Sequence, residues 1–416
     1  MAGRDSANKQ SRNGTARRCG VVMGGALGAF VAAAAMATGS AAPAKADFED
    51  LLDPIIQPLL TSVSDSLSTV DPTLAVDLTS WTDSLLASLN SIDVAVPAAS
   101  EPAASAASSA EPASAAALSN VSIPITVAED TESTVQSTVD GASTTLLVDS
   151  GSSGLVIPDT DLGSNFFTQL EALFSLGTPT GISEGGYSGG VEYIYLTYND
   201  VPVDYTSTTG AAVDTTAPVE VEVYSWDPSD LSSLFTNDAF QNFDTDNAVT
   251  GILGIGTTGT GGAGESPIEA AGYQGVTVDD VGAHPELTLD ATPNTTGTDL
   301  TATGSTVSGL TESVTTGADG TGTSLGTGSV SDDLDSGGVY GTIPTSISSA
   351  DVPQGDYVNV YDGNTLLYSY LVGTDSDLTD EAPTAVSGTS IDSGVIPFEQ
   401  YPISIDYSNN DIYLDN

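Results

Sequence analysis

The sequence predicts a mainly β protein that leaves the cell, and three observations carry that prediction. Beyond Ser119, short runs of Val, Ile, Thr and Tyr alternate with Gly, Asn-Asp and Asp-Gly turn signals. Ahead of them stand a paired arginine and a Gly/Ala-rich apolar run. Within the β region the tripeptide Asp-Ser-Gly recurs, at Asp149, Asp335 and Asp392, each time directly after an apolar residue.

The N-terminal part reads as an export signal. Arg17-Arg18 precede "CGVVMGGALGAFVAAAAMATGSAAPAKA", which supplies a charged start, an apolar centre and a small-x-small cleavage site. Residues 1–46 are therefore expected to be a signal peptide, cut before Asp47, and the arginine pair admits a twin-arginine route. Cys19, the only cysteine, lies ahead of the apolar run and leaves with the signal, so the mature chain forms no disulfide and no thiolate metal site.

Residues 47–96 space Leu, Ile and Val at three- and four-residue intervals, with Pro54 and Pro58 near the start, and predict two short amphipathic helices. Residues 97–118, "PAASEPAASAASSAEPASAAAL", have no periodic apolar face and cannot bury enough surface to offset ordering entropy, so they are a linker. Residues 119–416 form the β domain. Its strands are "VSIPITV", "STTLLVD", "VEYIYLTY", "VEVEVYSW" and "YPISIDYSNNDIYLDN", and "VYDGNTLLYSY" predicts a hairpin turning at Asp362-Gly363. Two Gly/Thr stretches, 257–265 and about 302–329, have few apolar anchors and are expected to be surface loops or connections without chemistry.

Charge narrows the function. All six basic residues, Arg4, Lys9, Arg12, Arg17, Arg18 and Lys45, lie in the first part of the chain, against 56 acidic ones overall and a net charge of −50. A surface without cations repels nucleic acid and anionic lipid, so neither is an expected partner. It also repels itself at neutral pH, which suits work in acid, although salt adaptation and escape from trypsin-like cleavage would leave the same composition.

The stretch "LVDSGSSGLVIP" delivers Asp149 from a strand into a tight turn of small residues, where backbone N–H groups and a hydroxyl can reach the carboxylate. Hydrolysis by carboxylates alone needs two of them sharing one proton. Asp335 in "DDLDSGGVYGTIPTS" and Asp392 in "TSIDSGVIPFEQ" are the candidates for the second. In a chain this rich in Asp, Ser, Thr and Gly about one such tripeptide arises by chance.

The flanks make the pattern specific, for the chain resembles the pepsin-like aspartic proteases. "DSGSSGLVIP" is similar to that family's D-T-G-S-S-x-L-W-V-P, which implies Asp149 as a catalytic aspartate, Ser150 and Gly151 as its turn and Ser152 as its supporting hydroxyl. "YSGGVEYIYLTYNDVPV" looks like the flap, with Tyr187 and Gly189 covering substrate. "TGILGIG" is similar to the strand that locks the first catalytic loop from beneath. "LDSGGVYGTIPTS" resembles the second catalytic loop, which implies Asp335 as partner with Ser336 and Gly337 in support. Asp392 stands too near the C-terminus to begin a second catalytic loop, and Gly394 is then structural.

The resemblance spans the chain from the strands after Ser119 to the end, and its wording is nearer to mycobacterial secreted aspartic proteases associated with PE-type surface proteins than to animal pepsins. It implies a bilobal fold, a monomer, protein or peptide substrates, no cofactor or metal, no membrane insertion after signal removal, and a place outside the cell or on its envelope. Two departures stand out: Val156 where the family usually has Trp, and Gly338 where it has the Ser or Thr that serves the second aspartate. A missing donor raises that aspartate's affinity for its proton and moves activity towards mild acidity.

Rival readings are weaker. His284, the only histidine, lies in "VGAHPEL" with no nucleophile elbow, so it reads as an exposed loop residue. Asp244, Asp246 and Asp332-Asp333 lack the ordered loop of a calcium site and read as solvated charge. The alternative to an active endopeptidase is a silent surface or adhesion protein that keeps the fold, which the departures at Gly338 and Val156 would allow. The helical segment 47–96 could be a pro-segment, an envelope-docking element or a secretion adaptor; its acidity argues against simple inhibition of an acidic site.

Overall fold

A computed structural model describes residues 118–128, 131–163, 166–185, 192–226, 248–257, 264–318, 320–338, 341–348, 352–373 and 383–416. The expected signal peptide, the segment 47–96 and all of the 97–118 linker but Leu118 lie outside the described residues, as do Tyr187, Gly189, Asp244 and Asp246.

The first lobe begins with β1 (Val121–Pro124), β2 (Thr126–Ala128), β3 (Glu132–Val139), β4 (Ala142–Asp149) and β5 (Ser153–Pro158). Helices α1 (Asp159–Leu162) and α2 (Phe166–Ser175) follow, then β6 (Gly181–Gly185), β7 (Glu192–Thr206), β8 (Ala212–Trp226) and β9 (Ile252–Ile255). β2 to β9 form one sheet in the order β2-β3-β4-β9-β5-β8-β7-β6. The β3–β4 hairpin closes through Asp140-Gly141, both at positive φ, the backbone that a tight primed turn demands. In β7, Val201, Val203 and Tyr205 are buried at every second position, Val201 lies opposite Ala217 of β8, and Tyr198 and Leu196 lie opposite the buried Val219 and Val221, so one face of the arms is core.

The helix α3 (Pro267–Ala270) is capped by Ser266, whose hydroxyl accepts from the Ile268 N–H, and Pro267 sits where no backbone donor is needed. Then come β10 (Gly275–Asp279), β11 (Glu286–Asp290), β12 (Thr298–Thr303), β13 (Thr306–Thr315), β14 (Ser324–Asp333), β15 (Thr342–Pro344), β16 (Tyr357–Asp362), β17 (Thr365–Leu371), β18 (Thr384–Val386), β19 (Ser390–Asp392), β20 (Ile403–Asp406) and β21 (Asp411–Leu414). Among the described residues, β1 and the terminal strands β20 and β21 share a sheet with β10 and β11, and that sheet continues through β12, β13 and β14 to β19. The two ends of the domain are thus tied by backbone hydrogen bonds. A single apolar core runs from Ile123 to Leu414.

Three sequence expectations are corrected. The stretch 302–329 is not a bare loop but most of β13 and β14, because Val307, Leu310 and Val314 bury one face while Ser, Thr and Gly cover the other. Asp332-Asp333 is not solvated charge: it ends β14, with Asp332 fully buried and accepting from the Tyr368 hydroxyl at 2.6 Å. The β16–β17 hairpin turns one residue later than expected, since Asp362 pairs with Thr365 and Gly363, at φ 58°, opens the two-residue loop. His284 is exposed, as expected.

Every described residue lies beyond Lys45, so among the described residues no Lys or Arg neutralises the buried acids. Burial raises Asp159 and Asp280 from 3.8 to about 6 and Asp332 to about 8. Burial, reinforced by Asp332, raises Glu312 from 4.5 to about 9. A carboxyl whose proton is held more tightly in the folded chain stabilises the fold fully below its unfolded value and loses that contribution as pH rises through its folded value. The thermal midpoint should therefore be highest near pH 4 and fall steadily towards about pH 9, as scanning calorimetry across that range would register. A midpoint that rises with pH would contradict the burial described.

Candidate active site

β4 carries Leu146, Leu147 and Val148, all buried, to its last residue Asp149. The turn that follows meets the turn after β14, and the two are joined by reciprocal hydrogen bonds. Ser150 Oγ donates to the Leu334 carbonyl at 2.6 Å and accepts from the Ser336 N–H at 2.8 Å. Ser336 Oγ donates to the Val148 carbonyl at 2.8 Å and accepts from the Ser150 N–H at 3.0 Å. A buried hydroxyl has one proton and can accept, so each serine satisfies one carbonyl and one N–H of the opposite lobe.

This grip brings Asp149 and Asp335 together, the two residues 1 % and 2 % exposed. A Cβ at Gly151 would stand 2.5 Å from Asp335 Cγ, and one at Gly337 would stand 2.8 Å from Asp149 Cγ. Only glycine at both positions lets the acids face each other so closely. Asp149 accepts from the Gly151 N–H at 2.8 Å and from Ser152 Oγ at 2.5 Å. Asp335 accepts from the Gly337 N–H at 2.9 Å. Burial, then the charges of Asp149 and Asp392, hold Asp335 well above the usual carboxyl range.

The support beneath is built from "TGILGIG". β9 runs parallel to β4, with Gly254 opposite Asp149, and antiparallel to β5. A Cβ at Gly254 would lie within 2.6 Å of the Ser153 carbonyl carbon, so the strand passes under the turn only as glycine. In the second lobe β19 takes the matching place, parallel to β14 with Asp392 opposite Asp333. Val156, in β5, is wholly buried and belongs to the core.

The sequence reading missed the acids behind this pair. Glu312 of β13, Asp332 and Asp392 are all buried, and Asp333 is half-buried. Glu312 could have been found by the alternation of Leu310, Glu312 and Val314, which puts it on the buried face of β13. Asp392 was visible as a motif but not as a neighbour of Asp335.

Residues 121–413 match the family described as the PE-PGRS C-terminal aspartyl peptidase-like domain. The chain is 32% identical over 308 residues to PE cleavage protein A of Mycobacterium tuberculosis (strain ATCC 25618 / H37Rv), covering 70% of this chain and 50% of that protein. It is 32% identical over 305 residues to PE cleavage protein A of Mycobacterium marinum (strain ATCC BAA-535 / M), covering 69% and 50%. The chain thus spans about half the length of the curated relatives it matches. Among solved structures, the aspartic proteinase from Irpex lacteus aligns at a TM-score of 0.49 and 14% identity, over 71% of this chain and 97% of that one.

The serine grip sets a stability test. Ser150→Ala would leave the Leu334 carbonyl and the Ser336 N–H buried without their partner, at a cost of about 1–3 kcal/mol in urea unfolding. Ser336→Ala should cost a similar amount, and the double variant less than the sum, because both serines serve one network. Full additivity would mean that the two turns are independent.

Proposed function

Since this chain belongs to the PE-PGRS C-terminal aspartyl peptidase-like family, we propose that it is an exported endopeptidase that hydrolyses peptide bonds with a water activated by Asp149 and Asp335. The observation that carries the reading is the pair of facing carboxyls, held by mirrored turns and approachable only because Gly151 and Gly337 lack side chains.

The two acids divide the chemistry. Asp149, with two donors converging on it, acts as the base and takes a proton from the water. Asp335, with a single backbone donor and acidic neighbours, holds the shared proton and gives it to the carbonyl oxygen of the scissile peptide. The water oxygen bonds to the carbonyl carbon, and the tetrahedral intermediate collapses as the proton now on Asp149 passes to the leaving nitrogen. As the C–N bond breaks, one hydroxyl of the gem-diol gives its proton back to Asp335 and becomes the carbonyl of the new carboxylic acid, so the dyad returns to one proton. Ser150, Ser152, Ser336 and the two glycines keep the carboxyls in register, and in this reading Tyr187 and Gly189 form the flap that excludes bulk water.

Several features support work at acidic pH on protein or peptide substrates. The dyad needs its proton, Asp335 binds that proton tightly, and the fold as a whole is stabilised by protonation. The name of the relatives, PE cleavage protein A, makes a PE polypeptide the substrate class to try first. Export to the envelope or medium follows from the signal reading of residues 1–46, and nucleic acid is an unsuitable partner for so acidic a chain.

Cleavage of a denatured protein by the mature chain, assayed from about pH 3 to about pH 7 with and without pepstatin, tests the reading. Asp149→Asn and Asp335→Asn should each lower the rate by about a thousandfold or more without loss of fold. Gly337→Ala should be nearly as damaging, since its methyl group would push Asp149 away. A folded parent that cuts nothing across this range would instead identify a silent member that keeps the scaffold as a surface protein.

A further inference from the structure

The third Asp-Ser-Gly turn has no part in the mechanism above, yet it repeats the geometry of the other two. Gly394 donates its N–H to Asp392 Oδ1 at 2.8 Å, as Gly151 does to Asp149 and Gly337 to Asp335. The Asp392 N–H is itself held by Thr342 Oγ1 at 2.8 Å. The carboxyl is 3 % exposed, at the end of β19 against β14. A solvated turn would not bury its acid so completely, nor fix it from both sides.

What lies beside it explains the placement. Three residues after Asp149 stands Ser152, whose hydroxyl donates to the carboxylate. Three residues after Asp335 stands Gly338, which has no hydroxyl to give. A Cβ at Gly338 would lie 3.2 Å from Asp392 Oδ1 and 3.1 Å from Gly394 Cα. The space beside Asp335 that a side chain at 338 would enter is therefore occupied by the third turn and its acid.

We propose that Asp392 is a positioning residue for the Asp149/Asp335 pair, filling the place vacated at Gly338 and keeping the shared proton on Asp335 into the upper part of the working pH range. The proposal rests on the reading of that pair as the dyad. It needs no second site, and it gives the missing hydroxyl and the extra Asp-Ser-Gly one physical cause.

The surroundings fix the sign. Asp392 faces Asp332 and Asp333 from β14, Asp149 from β4 and Asp335 from the neighbouring turn. Behind Asp332 stand Glu312 on β13 and Tyr368 and Tyr370 on β17. None of these groups carries positive charge, so each anion formed in the cluster makes the remaining protons harder to remove. Burial first, then the charges of Asp333, Asp332 and Asp149, raises Asp392 itself, and its anion in turn holds the proton on Asp335.

The pH dependence of kcat/KM for the parent and Asp392→Asn, together with the infrared band of protonated carboxyls, tests this. Asn keeps the acceptor for the Gly394 N–H but cannot become an anion. Its descending limb should move to lower pH, so that the ratio of rates at about pH 4 and about pH 7 grows by about tenfold. KM should change little. The infrared component absent from Asp335→Asn should titrate at lower pH in Asp392→Asn than in the parent. Gly338→Ala, whose methyl group would crowd Asp392 Oδ1, should shift both readouts the same way and decides the matter if Asp392→Asn does not fold. An unmoved limb and an unmoved band would reduce Asp392 to a turn former and overturn the proposal. If Asp335→Asn still cleaves, or the parent never does, the dyad reading fails, and the infrared comparison alone still decides whether Asp392 holds the Asp335 proton.

Discussion

Everything near the site depends on four hydrogen bonds between two serines and the backbone of the opposite turn. Ser150 and Ser336 exchange N–H, hydroxyl and carbonyl contacts with one another's loops, so that each lobe completes the other's hydrogen bonding. Two buried acids that share one proton need their backbones fixed if the carboxyls are to keep facing each other when that proton moves. The grip supplies that constraint, and the glycines at 151 and 337 allow it to act at close range.

The chain solves its charge problem by protonation rather than by pairing. With no Lys or Arg beyond Lys45, a buried carboxyl has hydroxyls, backbone N–H groups and tyrosines as partners, and otherwise keeps its proton. Asp332 with Tyr368, Thr277 with Asp290 and Ser133 with Asp280 are examples from both lobes. The same rule holds in the core and around Asp335, so stability and the protonation state of the site respond to acid together.

The strands and the two main turns were legible because they rest on local signals: β-branched runs for β4, β7 and β8, and an Asp-Ser-Gly with apolar flanks for Asp149 and Asp335. β13 and β14 were hidden because Thr, Ser and Gly crowd the stretch, and their burial comes from pairing with β16 and β19, which sequence spacing does not reveal. Asp332 was misread for the same reason: an acid is taken for surface until a distant tyrosine is known to cover it. The place of Asp392 beside Gly338 depends on a contact between two turns far apart in the chain, and no local pattern encodes it.

The serine grip also governs how the lobes can move. Its contacts pass through the main chain at Val148 and Leu334, directly before the two aspartates, and leave little play at that point. A rocking of one lobe against the other that kept these bonds would pivot there. The separation of the acids stays nearly constant while displacement grows with distance from the pivot, so conformational adjustment is confined to the parts of the lobes farthest from the chemistry.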